Sequence, residues 1–365
     1  MQRQWPVVPG SAIGIVANPM SGRDIRRLVS RASVFPNAEK TNMALRLISA
    51  AGALGVATVH MSTDAMGVAA GVLRAAGKRR EREGRWPTVE FTELAAPAGT
   101  ADDTRELVAA MGERGVSVIV VLGGDGTVRA AAQASAEVPL LPLSTGTNNA
   151  FPEMWEATVA GTAAALVAIG AVGTDRATYR AKALRVRAAG VVETALVDVC
   201  IGTAAHVGAK ALWDVGQLRE LYCAFAEPHA IGLSSVAGLL APVSRTDPTG
   251  IRVALTDPSD HSDHTEPPCQ VLAPIAPGVL AQVGVREFAE LRLGEPVTSS
   301  VPRGTVAVDG EREIEFGPAG PVTVTLTQAG PVVLDVRAVL AEASARRLMV
   351  TGGQSAQPAH YQEVR

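Results

Sequence analysis

The stretch Val-Ser-Val-Ile-Val-Val-Leu-Gly-Gly-Asp-Gly-Thr occupies residues 116–127 and decides the fold. Apart from Ser117, its first seven residues are apolar and mostly β-branched without alternation, which is typical of a central strand buried on both faces of a sheet. The glycines that follow, and the helical pattern of residues 127–136, predict a tight turn into a helix. A strand followed by a helix in this way is the repeating unit of a parallel α/β sheet.

The same rhythm extends on both sides of this stretch through the first 150 residues. Strands are predicted at residues 12–17, 56–61, 89–92 and 139–143, and helices from Asp24, at 38–54, at 65–76 and from Thr100 or Asp102 to 114. After about residue 155, β-prone segments separated by turn signals replace this rhythm, at residues 183–187, 191–199, 251–256, 304–308, 313–316 and 322–326. A last helix is predicted at residues 334–348.

These elements predict an α/β protein with an N-terminal doubly wound parallel α/β domain and a C-terminal β-rich, β-sandwich-like domain. We expect the first domain to cover residues 1–153 and the second residues 154–320. Residues 321–350 are expected to return to the N-terminal domain, and residues 351–365 form a polar tail.

Composition narrows the class of protein. The chain has 365 residues, of which 47% are hydrophobic, and its net charge of −3 gives no basic surface for nucleic acid or an anionic membrane. Three scattered cysteines exclude a disulfide framework and a thiolate zinc site, and they fit a reducing, cytoplasmic location. No signal peptide is predicted, and the weakly apolar residues 157–174 are interpreted as a packed helix rather than a membrane span.

The loop after the central strand, residues 123–127, has the composition of a phosphate site. Its glycines allow close approach of backbone to an anion, and a helix N-terminus supplies N–H donors. Asp125 would repel phosphates unless it binds a divalent cation or accepts a proton from an attacking hydroxyl, and a kinase needs both roles. The alternative is that Asp125 only caps the helix. A P-loop is absent because no lysine follows, and a dinucleotide fingerprint fails because its third glycine would fall on Arg129.

Two more polar loops each follow a predicted strand. Residues 144–151, Ser-Thr-Gly-Thr-Asn-Asn-Ala-Phe, offer hydroxyls and amides that can bind phosphate or ribose, or they form an ordinary turn and helix cap. Residues 18–22, Asn-Pro-Met-Ser-Gly, end the first strand and allow the same two interpretations. Lys40 could reach a phosphate from the following helix, although a solvated position is the simpler expectation.

Taken together, these motifs resemble the superfamily that joins ATP-NAD kinases with diacylglycerol and sphingosine kinases. The similarity rests on the three loops, on Asp103-Thr104, and on Gly304-Thr305 with Asp309-Gly310-Glu311 further along. Thr145 to Pro152, Ala226-Glu227-Pro228 and Ile231 to Ser234 resemble most the acetoin-catabolism protein X branch of the ATP-NAD kinase family. The resemblance spans roughly residues 12–316.

The resemblance implies an ATP- and Mg²⁺-dependent phosphotransferase whose site lies between the two domains, with NAD as the leading acceptor. Asp125 would be catalytic, with Mg²⁺ near it. The resemblance also implies a homodimer or homotetramer. Nucleotide and phosphate contacts would come from Asn18, Pro19, Ser21, Gly22, Gly123, Gly124, Gly126, Thr127, Thr145, Gly146 and Thr147, and acceptor contacts from Asn148, Asn149, Asp198, His206, Asp309 and Glu311.

The chain departs from ATP-NAD kinases at one motif. Those enzymes usually carry an Asn-Glu pair that binds NAD, whereas the matching stretch here offers Asp198 followed by Val199. Three functions therefore stay open at the level of sequence: an NAD kinase, a kinase of a small diol or a lipid, and a non-catalytic nucleotide-binding regulator. An acidic, histidine-bearing cluster at residues 257–266 is expected to be a solvated loop.

Overall fold

The computed structural model describes residues 5–22, 35–78, 85–146, 149–204, 215–256 and 269–350. The strands of its first sheet are β1 (Val8–Ala17), β2 (Val56–Ser62), β3 (Thr88–Thr92), β4 (Val118–Gly123), β5 (Leu140–Ser144), β6 (Thr178–Arg180) and β18 (Val332–Leu334). Among the described residues, they lie in the order β3-β2-β1-β4-β5-β18-β6. In the part of this sheet that the structure describes, β1 to β5 and β18 are parallel, and β6 runs antiparallel to β18.

Helices cover both faces of this sheet. They are α1 (Asn37–Ala53), α2 (Val68–Lys78), α3 (Ala101–Glu113), α4 (Asp125–Ala134), α5 (Ala157–Ala168), α6 (Thr174–Ala177) and α8 (Val336–Ala345). Strand β4 shows why both faces are apolar: Ile119 and Val121 pack with α3 and α4, whereas Val118 and Val120 pack with α1, α2 and α5. Every residue of β4 is buried, as its sequence without alternation predicts.

Helix α5 packs closely on α1 because its contact face carries small residues. A Cβ added at Gly161 would lie 3.0 Å from the Cα of Leu47. This confirms the interpretation of residues 157–174 as a packed segment. In the described part of the chain, no helix has the length and apolar character needed to cross a membrane.

The remainder of the chain is rich in antiparallel strands. They are β7 (Ala183–Ala188), β8 (Val191–Ala195), β9 (Asp198–Gly202), β10 (Leu218–Cys223), β11 (Thr249–Leu255), β12 (Cys269–Ala276), β13 (Val279–Arg292), β14 (Pro296–Thr298), β15 (Gly304–Val308), β16 (Glu311–Phe316) and β17 (Thr323–Thr327). Within the described ranges they form a sheet of order β12-β13-β11-β10-β9-β15-β16 and a four-stranded sheet of order β14-β17-β7-β8.

The two antiparallel sheets share one apolar core. Leu184 and Val324 of the smaller sheet lie in the same buried cluster as Ile201 and Val306 of the larger one. The other face of the larger sheet is covered by α7 (Ser234–Leu240), whose Val236 and Ala237 lie in a separate cluster. The fold is therefore a parallel α/β part followed by an antiparallel, strand-rich part, which confirms the predicted fold class.

The structure differs from the sequence prediction in several strands. The single strand predicted at residues 191–199 is two strands, β8 and β9, which are separated at Leu196 and Val197. The N–H groups of those two residues point to the Asp309 carboxylate rather than to a neighbouring strand. The observed strands β6, β10, β12, β13, β14 and β18 lie outside the strand segments that the sequence predicts. The helix predicted from Asp24 lies outside the described residues.

Candidate active site

The turn from β4 into α4 requires glycine for reasons of space. A Cβ at Gly123 would lie 2.5 Å from the Cβ of Thr127, and one at Gly124 would lie 2.8 Å from Oδ1 of Asn149. Gly124 is the N-cap of α4 and is extended, with φ −103° and ψ −175°. These two glycines therefore allow a close approach of neighbouring side chains, and neither adopts a left-handed conformation.

The loops after β1, β4 and β5 meet at one edge of the parallel sheet, as the carboxyl ends of neighbouring parallel strands must. Nδ2 of Asn18 donates to Oγ1 of Thr127 at 2.8 Å. The hydroxyls of Ser21 and Thr145 are 2.7 Å apart. Residues from all three polar loops are thus in direct contact around the start of α4.

Lys40 lies beneath the loop at residues 18–22. Its side chain is fully buried, and Nζ donates to the backbone oxygens of Pro19 at 3.2 Å and Ser21 at 2.9 Å and to Oδ1 of Asn37 at 3.1 Å. The expectation that Lys40 is solvated was wrong, because a buried ammonium group is tolerated where several oxygens accept from it. Lys40 therefore fixes the loop through its backbone.

Asp125 is held by a segment outside its own helix. It is the first residue of α4, and its carboxylate accepts N–H groups from another segment: Ala150 at 3.1 and 3.2 Å and Phe151 at 2.8 Å. The side chain is half-buried. Because the carboxylate accepts from residues 150 and 151, its orientation depends on the segment that leaves β5.

A hairpin of the larger antiparallel sheet approaches the same turn. Asp309 and Gly310 connect β15 to β16 with φ of 49° and 78°, which is the backbone of a two-residue hairpin turn that favours Asp-Gly. Oε1 of Glu311 lies 3.7 Å from the position that a Cβ on Gly126 would occupy. The hairpin therefore places the Glu311 carboxylate against the first turn of α4.

Asp309 itself points into the protein. Its carboxylate accepts the N–H groups of Leu196 at 3.0 Å, Val197 at 2.8 Å and Asp198 at 3.3 Å, and Nε of Arg129 is 3.8 Å away. Burial raises the pKa of Asp309 to about 7; the Arg129 guanidinium and the backbone donors oppose this rise, and Asp125 adds to it. Asp309 thus links the second sheet to α4 through Arg129.

This raised pKa predicts a pH dependence of stability. Because the folded-state pKa lies above the ordinary value of 3.8, the folded state binds the proton more tightly, and the resulting stabilisation is lost as pH rises from about 4 to 7. We expect the free energy of unfolding of wild type, relative to Asp309→Asn, to fall by about 1 kcal/mol per pH unit in that window. Urea unfolding at several pH values measures it; a difference independent of pH would contradict the expectation.

Asp198 is also buried. Its carboxylate accepts the thiol of Cys200 at 3.7 Å, and its backbone oxygen accepts the N–H of Asp309 at 2.9 Å.

Asn149 donates from Nδ2 to Oγ of Ser144 at 2.9 Å. A Cβ at Gly146 would lie 2.6 Å from that same Nδ2, and one at Gly22 would lie 3.0 Å from the backbone oxygen of Thr145. Asn149 is therefore packed closely against Gly146, and Gly22 against Thr145.

Three predicted site residues, Thr147, Asn148 and His206, lie outside the described residues, as does the acidic cluster at residues 257–266. The sequence assigns no role to Arg245 or Glu227. In the structure, Arg245 donates to the backbone oxygens of Ala150 and Phe151, and Glu227 forms an ion pair with Arg245. Glu227 lies in the Ala226-Glu227-Pro228 stretch that resembles the family, and this stretch is the sequence feature that could have indicated a role for it. Nothing local to Arg245 indicates a role in the site.

The residues around Asp125 fit a magnesium ion that arrives with a nucleotide. Among the described residues, no three His, Cys, Asp or Glu side chains are grouped as a metal site. Mg²⁺ is commonly bound by one or two carboxylates together with substrate phosphates and water, rather than by a cage of protein ligands. In the described part of the chain, Asp125 and Glu311 both carry a carboxylate at the start of α4.

Known proteins match nearly the whole length of this chain. Residues 13–172 match the model of the ATP-NAD kinase N-terminal domain, and residues 182–329 match that of the acetoin catabolism protein X C-terminal domain. Acetoin catabolism protein X of Cupriavidus necator is 39% identical over 346 residues, which cover 92% of this chain and 93% of that protein. The chain therefore belongs to the acetoin catabolism protein X family, with a kinase-like N-terminal part of the ATP-NAD kinase type.

Proposed function

We propose that this protein is an ATP- and Mg²⁺-dependent kinase that transfers a phosphoryl group to a hydroxyl acceptor, with NAD as the first candidate. One observation carries the proposal: the Asp125 carboxylate lies where three strand-end loops of the parallel sheet meet the β15–β16 hairpin of the second sheet. In this proposal residues 1–153 bind the nucleotide and residues 154–320 bind the acceptor.

The chemistry assigned to these residues is positioning and charge stabilisation, which dominate phosphoryl transfer. In the reaction, the acceptor oxygen bonds to the γ-phosphorus, the bond to the β,γ-bridging oxygen breaks, and ADP leaves. Asp125 accepts the proton of the acceptor hydroxyl. Bound Mg²⁺ would neutralise phosphate charge, and Asp125 and Glu311 are the residues that would contact it or its water.

The nucleotide contacts in this proposal come from the three loops. Asn18 and Ser21 place an amide and a hydroxyl at the edge of the sheet, next to the first-turn N–H groups of α4. Thr127 and Thr145, which are buried, hold these two side chains through hydrogen bonds. Gly123, Gly124 and Gly146 let neighbouring side chains approach the backbone closely at this edge. Lys40 holds the loop at residues 18–22 through its backbone oxygens. Thr147 stays a proposed nucleotide contact.

For the acceptor, we give direct contact to Glu311 and Asn149 and positioning roles to Asp309 and Asp198. Asp309 has a side chain only 1% exposed and already accepts three backbone N–H groups. Asp198 is buried beside it. Asn148 and His206 stay proposed acceptor contacts.

The relative's name connects it with acetoin, so a small hydroxylated compound is the second acceptor to test. A non-catalytic nucleotide-binding regulator is the remaining alternative. The purified protein is incubated with Mg-ATP and, separately, with NAD, NADH, acetoin, a vicinal diol and diacylglycerol, and ADP and the phosphorylated product are measured. Phosphorylation of any of these acceptors supports the kinase, and that of NAD supports its leading form. ATP binding without turnover of any acceptor would overturn the kinase in favour of the regulator.

A further inference from the structure

Arg245 lies in the loop between α7 and β11, on the far side of the 150–151 segment from Asp125. Its Nη1 donates to the backbone oxygen of Phe151 at 2.8 Å, and its Nη2 donates to that of Ala150 at 2.6 Å. The planar guanidinium thus binds two successive carbonyl groups at once, which a lysine ammonium group cannot match in geometry.

The same two residues donate their N–H groups to Asp125. Ala150 and Phe151 therefore have a cation at their carbonyl oxygens and an anion at their N–H groups. The carbonyl oxygen of Ala150 and the N–H of Phe151 belong to the same peptide group, so the Arg245 cation at that oxygen withdraws electron density and makes the Phe151 N–H a stronger donor to Asp125. The orientation of the Asp125 carboxylate is in this way connected to Arg245 through backbone alone.

Arg245 is itself fixed by its surroundings. Glu227 accepts from Nη2 at 3.1 Å and from Nε at 3.3 Å, and the guanidinium lies 4.4 Å from the ring centroid of Phe225. The side chain is only 14% exposed, so the ion pair is shielded from solvent. Glu227 raises the pKa of Arg245 despite burial, so the guanidinium stays charged.

The loop that carries Arg245 is also held in place. Nζ of Lys182 donates to the backbone oxygens of Ser244 at 2.9 Å and Thr249 at 2.5 Å, which bracket Arg245 in the sequence. Lys182 is buried and immediately precedes β7. The backbone on both sides of Arg245 is thus held by the antiparallel part of the protein.

We propose that Arg245, oriented by Glu227, is a positioning residue that sets the orientation of the Asp125 carboxylate through the peptide group that joins Ala150 to Phe151. The role in catalysis rests on the proposed function, since it assumes that Asp125 acts on the acceptor hydroxyl. Arg245 contacts the end of the 144–151 loop that holds Asp125, whereas the proposed nucleotide contacts of that loop, Thr145 and Gly146, lie at its other end. We therefore expect Arg245 to affect the acceptor step more than nucleotide binding.

The kinetic test compares Arg245→Met, Arg245→Lys and Glu227→Gln. We expect Arg245→Met to lower kcat 10- to 100-fold and to keep KM for ATP within about twofold, and Arg245→Lys to recover part of kcat. The dependence of kcat on pH should shift with it, because the environment of Asp125 changes. Unchanged kcat, or an equal loss of ATP affinity, would overturn the proposal.

A second test does not depend on kinase activity. In urea unfolding, Asp125→Asn and Arg245→Met should together lower the midpoint by less than the sum of the two single shifts, because each weakens the same connected contacts. The Asn amide keeps one accepting oxygen but loses the second oxygen and the charge. The control is Arg252→Met, since Arg252 is a partly buried arginine of the larger antiparallel sheet whose ion-pair partners are Glu220 and Glu287. Its shift should add to that of Asp125→Asn.

Additive shifts for Arg245→Met would overturn the positioning role, whether or not the protein transfers phosphate. If the unfolding cycle shows coupling and no acceptor is phosphorylated, the proposed function fails while the connection between Arg245 and Asp125 stands. If Arg245→Met does not fold, the same cycle is run with Arg245→Lys and Glu227→Gln, for which additive shifts again overturn the proposal.

Discussion

Replacing Asp125 by Asn is expected to lower kcat for phosphoryl transfer by about 10²- to 10⁴-fold, the range associated with loss of a general base. The amide keeps an oxygen that can accept the N–H of Phe151, so the backbone around α4 should be retained. It has no charge with which to accept a proton or bind Mg²⁺. The measurement is ADP release with the acceptor that the wild-type protein phosphorylates, together with ATP affinity by calorimetry.

The matched control is Asp64→Asn. Asp64 also accepts backbone N–H groups at the start of a helix, from Met66, Val68 and Ala69, and it lies outside the proposed site. Both variants should lose a similar amount of stability, about 1 kcal/mol, because each exchanges one carboxylate oxygen for an amide nitrogen. Only Asp125→Asn should lose turnover; equal kcat in the two variants would remove Asp125 from the chemistry.

Replacing Gly304 by Ala is expected to cost at least about 3 kcal/mol of unfolding free energy, through overpacking against backbone combined with a strained φ. A Cβ at this position would lie 1.8 Å from the backbone oxygen of Gly202, and φ is +151°. Neither backbone can move without breaking the pairing of β15 with β9. Urea unfolding followed by circular dichroism measures the loss.

The control for this variant is Gly317→Ala, because a Cβ at Gly317 meets no atom within 4 Å. Its stability should stay within about 0.5 kcal/mol of wild type. The displacement of β15 in Gly304→Ala should also carry the Asp309-Gly310 turn and Glu311 away from α4. A Gly304→Ala protein as stable as wild type would show that the two strands can separate without cost.

The sequence predicts the parallel part of the fold better than the antiparallel part. In β4 the pattern is local and unambiguous, because every position faces apolar helices. In β10 the hydrophobic pattern is ambiguous, because the charged residue Glu220 is buried among Tyr222, Arg252 and Ser300. A buried charge in a strand obscures the hydrophobic pattern. Strand β13 alternates in exposure over its first eight residues, but residues 286–290 are all exposed and carry three charges, so its sequence has no single period.

What the sequence determined by itself is the α/β class, the glycine-lined turn after β4, and the set of polar loops at one edge of the sheet. These follow from local pattern, since parallel strands with buried faces must place their carboxyl ends together. Only the tertiary structure decided that Lys40 is buried, that Asp309 interrupts a strand, and that Arg245 lies behind Asp125. The physical reason is that a buried charge is stable only where distant segments supply its partners, and no local pattern records which segments those are.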